Sequence, residues 1–190
     1  MSSIYINIPD VFDYYLKGKI ESAILTEIDL RHNELNEKLL ESIYIKSSQN
    51  YLLSSTFLEF LISRLSNFFL FDDELEITLE IDINSITIKN LQEISKTKVN
   101  RLSCKTYSLF YNNFSVEKSD NRFFKNIGLI PNFYKNFSID LIFGTPNLSN
   151  ETLDKFFSKL NKNGVSHITL EEYNYRLNNI SYHEKFLIKI

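Results

Sequence analysis

The chain has 190 residues, 43% hydrophobic and 24% charged, with a net charge of −3. That is ordinary globular usage at the length of one domain, which excludes wholesale disorder, and an acidic balance excludes nonspecific nucleic-acid binding, which needs a basic footprint. The single cysteine, Cys104, excludes an intrachain disulfide and by itself cannot hold an iron–sulfur cluster or a zinc ion.

Met1-Ser2-Ser3 leads straight into an apolar alternation, without a basic region or an apolar core, so no signal peptide is expected. Ile4–Ile8 alternates apolar and polar residues and stops at Pro9, which predicts a short strand. From Asp10 to about Leu39 the pattern is helical in places, with Ile20, Ile24, Leu25 and Ile28 on one face. Ser42–Lys46 predicts a second strand. Ser54–Phe69 is the clearest helix, with Ser54 or Ser55 as cap and Phe57, Leu58, Leu61, Ile62 and Leu65 at helical spacing. Glu76–Ile81 predicts a strand, Thr87–Lys96 a short helix capped by Thr87, and Val99–Cys104 another strand. Residues 108–136 are aromatic, Asn-rich and without a clear period. Phe137–Phe143 is a continuous apolar strand ended by Gly144-Thr145-Pro146. Ser149–Leu160 predicts a helix, with Gly164 placed to end it in a left-handed turn. His167–Leu170 predicts a last strand, and residues 171–190 are polar and irregular. No apolar run approaches the ~18 residues of a membrane helix, so no membrane span is expected.

Strands and helices thus alternate five or six times. That rhythm predicts βαβ units, a parallel sheet and right-handed crossovers. One domain is expected over residues 1–175, with 176–190 a tail or the start of a further region. In parallel α/β folds the chemistry sits at the C-terminal ends of strands. Here those ends carry Pro9–Val11, Lys46–Asn50, Glu80–Asn84, Cys104–Ser108, Asp140–Pro146 and Glu171–Tyr173.

Three segments stand out in order: Ile77-Thr78-Leu79-Glu80, Val99-Asn100-Arg101-Leu102-Ser103, and Ser138-Ile139-Asp140-Leu141-Ile142-Phe143-Gly144-Thr145-Pro146. With Tyr5-Ile6-Asn7-Ile8-Pro9 before them, this series resembles the radical SAM proteins related to oxygen-independent coproporphyrinogen III oxidase, most closely the haem-chaperone branch. The resemblance runs from Ile4 to about Tyr175, somewhat over half of a typical member. It implies an α/β fold, an incomplete parallel barrel of about six strands. It also implies cytoplasmic porphyrin or haem handling with S-adenosylmethionine and a four-iron cluster on three cysteines.

The departures fall on the chemistry. The three cysteine positions hold Val11, Tyr15 and Gly18, and the motif His is Asn7. A Gly-Gly-Gly that lets backbone approach the cofactor is Lys46-Ser47-Ser48. A later Gly and Gln are Lys105 and Tyr107. Tyr5, Pro9, Glu80, Ser108, Asp140 and Gly144 are kept. By resemblance, Glu80, Asp140 and Tyr5 are vestigial cofactor-binding positions. No catalytic residue and no metal ligand is expected, nor a bound cluster, nor radical chemistry. The expected reading is a degenerate relative of the family; the alternative is a non-catalytic module that binds haem, a nucleotide or a protein partner at the barrel mouth.

Each candidate has a plain structural reading beside it. Glu80 and Asp140 are also the kind of carboxylates that cap loops at strand ends. Cys104 reads as a buried inert thiol. His32, His167 and His183 lie far apart and read as structural rather than haem-ligating. Asp10, Asp13 and Glu21 read as solvated side chains rather than a replacement metal site, and Phe110–Phe137 as loosely patterned core rather than a binding surface.

Overall fold

The computed structural model describes residues 2–9, 14–46, 53–105, 121–143, 150–172 and 185–189. Its elements, in chain order, are β1 (Ser2–Asn7), α1 (Tyr14–Arg31), β2 (Leu40–Lys46), α2 (Ser55–Ser66), β3 (Glu76–Asp82), α3 (Ile88–Ile94), β4 (Arg101–Lys105), α4 (Asn121–Leu129), β5 (Phe137–Phe143), α5 (Asn150–Lys162), β6 (His167–Glu172) and β7 (Lys185–Lys189). The strands are hydrogen-bonded in chain order. Six are parallel and the seventh is antiparallel to β6. The expected α/β class is the one observed. Among the described residues, no helix is long and apolar enough to cross a membrane.

The chain divides into two compact units, Met1–Ile81 with Thr87–Leu102, and Asp82–Ile86 with Ser103–Ile190. In the first unit the strand register stacks like on like. Ile4 lies beside Ile43 and Ile43 beside Ile77; Ile6 lies beside Ile45 and Ile45 beside Leu79. Because strand side chains alternate between faces, these rows make one apolar face. Ile43, Ile45, Ile77 and Leu79 join the buried stripe of α2 (Phe57, Leu58, Leu61, Ile62, Leu65) and Leu91 and Ile94 of α3 in the core, while Ile4 and Ile6 are half-buried. Ser54 supplies the α2 cap, its Oγ accepting from the Phe57 N–H at 3.2 Å. Thr87 does the same for α3, accepting from the Asn90 N–H at 3.1 Å.

The first helix is held less firmly. Ile20, Ile24, Leu25 and Ile28 are only half-buried, while Leu30 is largely exposed. α1 stops at Arg31, short of the Leu39 limit of the helical pattern. A 3-10 turn follows at His32–Glu34. Arg31 pairs with Glu27 at 2.6 Å and Glu34 at 2.8 Å, which ties helix and turn together.

In the second unit, Phe123, Ile127, Ile130, Ile139, Leu141, Phe156, Leu160 and Ile168 form the core. The Phe123 and Phe156 rings stack at 5.7 Å, and Phe124 meets Phe123 edge-on at 5.0 Å. The described part of the Phe-rich stretch is therefore core, as expected. Its residues 110–120 lie outside the described residues. α4 is not legible in the sequence although Phe123, Ile127 and Ile130 recur at helical spacing, because the aromatic, Asn-rich stretch around them hides where that period starts. Asn126 is nonetheless buried, donating through Nδ2 to the Ile83 carbonyl at 2.8 Å. α5 ends as Gly164 predicted, at φ +76°. The Val165 N–H reaches the Leu160 carbonyl at 3.2 Å and the Gly164 N–H the Asn161 carbonyl at 3.0 Å, the paired bonds of a Schellman motif.

One expectation fails in this unit. Residues 171–190 are not irregular throughout. β6 continues to Glu172, and β7 pairs antiparallel with it, Thr169 beside Leu187. A three-residue apolar run between two lysines is too short for periodicity to mark.

Candidate functional site

The sheet face opposite the apolar rows carries the polar chemistry. In the first unit the same register places Ser3 beside Ser42, Tyr5 beside Tyr44 and Asn7 beside Lys46. Ser42, Tyr44 and Lys46 in turn lie beside Glu76, Thr78 and Glu80. These side chains bond to one another. Ser42 Oγ donates to Ser3 Oγ at 2.9 Å, and Thr78 Oγ1 to Glu76 Oε1 at 2.9 Å. Arg101 Nη1 reaches Thr78 Oγ1 at 3.3 Å and pairs with Glu76 Oε1 at 3.7 Å.

Tyr5 and Glu80, two of the three positions expected from resemblance, are brought together through Tyr44. The Tyr5 ring stacks on Tyr44 at 5.6 Å and 20°. The Tyr44 hydroxyl donates to Glu80 Oε2 at 2.8 Å. Glu80 is 2% exposed, so a charge-assisted bond from within the fold meets its carboxylate where water does not. Tyr5, on the first strand of the order, is 62% exposed. Tyr44 carries no motif of its own. Only the register, which sequence does not give, puts it between the other two.

In the second unit, Ser103 and Lys105 on β4, Ser138 and Asp140 on β5, and Thr169 and Glu171 on β6 are all buried. Asp140, the third expected position, accepts from Ser103 Oγ at 2.9 Å and lies beside Thr169 in the register. Lys105 Nζ sits 3.6 Å from Glu171 Oε1, with the two side chains 11% and 4% exposed. This buried ion pair was not singled out as a site from sequence. The signal was present in Lys105, a long cation where the resembling motif has glycine.

The motif Val99–Ser103 has structural work in every residue. Val99 and Leu102 are buried. Asn100 accepts from the Ile77 N–H at 2.8 Å and donates to the Leu75 carbonyl at 2.7 Å. Arg101 and Ser103 make the bonds given above.

The remaining candidates stay apart. Cys104 is fully buried in β4. His32 stacks on Phe68 at 3.9 Å with Nδ1 2.9 Å from the Asp29 carbonyl, a structural placement. His167 is half-buried on β6. Asp10, Asp13, His183, Val11, Ser47, Ser48, Tyr107, Ser108 and Gly144 lie outside the described residues. Glu21 lies on α1. Among the described residues, no group of three or more His, Cys, Asp or Glu side chains could hold a metal ion.

These positions do not fit an iron–sulfur cluster. Gly18 lies within α1 and offers no ligand atom, and Tyr15 is in the same helix. Cys104 is enclosed in a strand, so the three thiolates such a cluster needs are absent from the chain.

No family model matches the sequence, and no curated protein does. Among solved structures, coproporphyrinogen III oxidase from Escherichia coli, described as a radical SAM enzyme, superposes with a TM-score of 0.73 at 19% identity. The match covers 91% of this chain and 44% of that one. It shows the fold alone: an α/β chain whose strands lie in one sheet, six of them parallel. The chain spans less than half of that enzyme, below the share expected from sequence. A protein assigned as a deoxyribose-phosphate aldolase from Coccidioides immitis matches at a TM-score of 0.47 and 9% identity, over 88% of this chain and 58% of its own. That second match is too distant to bear on function.

Proposed function

We propose that the chain is a degenerate relative of the coproporphyrinogen III oxidase and haem-chaperone proteins, cytoplasmic, without a cluster and without radical chemistry. The single cysteine carries the proposal, because three thiolates are the least that a three-cysteine cluster needs and Cys104 is buried in β4. The state of the polar faces supports it. Glu80 and Asp140 accept from Tyr44 and Ser103, and Lys105 occupies a position where the resembling motif has no side chain. The residues that would face a cofactor are engaged with each other.

The test is anaerobic reconstitution of the purified chain with iron and sulfide, read by absorbance and iron content, with circular dichroism on the same sample. The expected outcome is a folded protein with no bound iron. About four irons per chain would overturn the proposal, since that is the complement of one cluster.

A second reading has its own observation. Glu80 and Asp140 are retained and buried where drift alone need not keep a carboxylate. On that reading the chain binds haem, a nucleotide or a protein partner without turning it over. Titration with haem and with S-adenosylmethionine separates the two. Saturable binding weakened by Glu80→Ala or Asp140→Ala favours the module, and no binding favours drift.

A further inference from the structure

A cavity of about 450 Å³ lies between the first strand and the first helix. Every described residue that lines it belongs to the first unit. Ile4 and Ile6 of β1, Ile24 and Ile28 of α1, and Leu65 and Phe69 give it an apolar wall. Leu65 and Phe69 are buried, and the four isoleucines are half-buried. Protein interiors leave few voids of this size, whereas small-molecule sites occupy roughly 300–1,000 Å³.

The same cavity is bordered by charge. Glu27, Arg31, His32 and Glu34 line it, at the end of α1 and in the turn that follows. Arg31 is the one Lys or Arg among the described lining residues, and both carboxylates already hold it. Its Nη1 donates to Glu27 at 2.6 Å, and its Nε and Nη2 to Glu34 at 3.0 and 2.8 Å. Those bonds keep the Glu34 carboxyl below its usual range, so it stays ionised. Two carboxylates sharing one guanidinium leave one negative charge in excess.

The backbone and His32 add to that excess. Residues 27–31 are the last turn of an 18-residue helix, whose carbonyl end carries a partial negative charge. His32 Nδ1 lies 2.9 Å from the Asp29 carbonyl, which can only accept, so in the neutral ring Nε2 is a further acceptor. Ser3, Tyr5, Asn7 and Leu35 complete the lining and bring no charge.

We infer that this cavity binds a small organic cation, an aliphatic or aromatic body with a protonated amine at one end. The apolar wall takes the body. The unbalanced carboxylate charge beside the carbonyl end of α1 takes the ammonium. An anion with the same body meets net negative charge, and a neutral analogue gains the apolar contact alone. The site makes no use of Glu80, Asp140 or a cluster, so it stands or falls apart from the function proposed above.

Titration of the whole chain, labelled at its isoleucine methyls, with phenethylamine, phenethyl alcohol and phenylacetate tests this. At about pH 8 the amine is charged and an imidazole ordinarily is not. The expected result is a saturable shift of the Ile4, Ile6, Ile24 and Ile28 methyls. The amine should bind about threefold tighter than the alcohol, the scale of one exposed ion pair, and the carboxylate weakest of all. Added salt should narrow the difference. Glu27→Gln with Glu34→Gln changes exposed side chains, should leave the circular dichroism unaltered, and should erase the amine's advantage while the alcohol binds as before. Ile28→Trp fills the cavity and should abolish the binding of all three. No saturable methyl shift from the amine overturns the inference, and so do shifts confined to other residues. An alcohol or a carboxylate that binds as tightly as the amine overturns it as well, as does an amine affinity unmoved in the double variant. The cavity would then choose by apolar body alone.

Discussion

Removing the Lys105 cation should cost the protein far more than removing the whole Lys105–Glu171 pair. At 3.6 Å and an effective dielectric of 20, the attraction between the two charges is about 5 kcal/mol. Most of that is offset by the cost of taking both charges out of water, which is large at exposures of 11% and 4%. Lys105→Met keeps the volume but leaves the Glu171 carboxylate buried without its cation, at an expected cost of about 3–5 kcal/mol. The double variant Lys105→Met with Glu171→Leu should return to within about 1 kcal/mol of the parent, or exceed it. Urea unfolding at low temperature measures both, and the slope of free energy against urea should stay constant across the series. A small domain has only about 5–15 kcal/mol to lose, so the single variant is read with the milder Glu171→Gln alongside it. The reasoning is refuted if Lys105→Met costs under about 1 kcal/mol, or if the double variant loses the sum of the two single losses.

Two further predictions test local chemistry. Tyr134 is buried, with no hydrogen-bond partner for its hydroxyl among the described residues, and burial raises its pKa above the usual tyrosine value of 10.0. A raised folded value means that its contribution is fully present below about pH 10 and is lost as pH rises beyond it. Tyr134→Phe should therefore stabilise by about 1 kcal/mol at neutral pH and flatten the alkaline loss, and stability curves that stay parallel above pH ~10 would contradict this. Two glycines should respond with opposite signs. Gly164→Ala forces a Cβ into a left-handed turn and should cost about 1 kcal/mol, although no atom lies within 4 Å of it. Gly18→Ala, inside α1 and equally open, should gain about 1 kcal/mol, and unfolding midpoints that move together would deny the backbone argument.

Local periodicity was enough to find β1 to β6, the caps at Ser54 and Thr87, and the turn at Gly164. Each rests on interactions within a few residues or on an alternation that the chain carries itself. The same alternation fixed which side chains share a face, and so which strands could present Glu80 and Asp140 at their ends. α4 and β7 were not legible, since an aromatic, Asn-rich stretch hides the start of the one and brevity hides the other. Their assignment depends on partners distant in sequence: Asn126 is spent on the Ile83 carbonyl, and β7 exists by pairing with β6. Tertiary structure alone decided what the retained residues do. Whether Tyr44 would reach Glu80, Ser103 reach Asp140, or Lys105 reach Glu171 is set by the register between strands. Side-chain alternation fixes a residue's face but not its neighbour on the next strand.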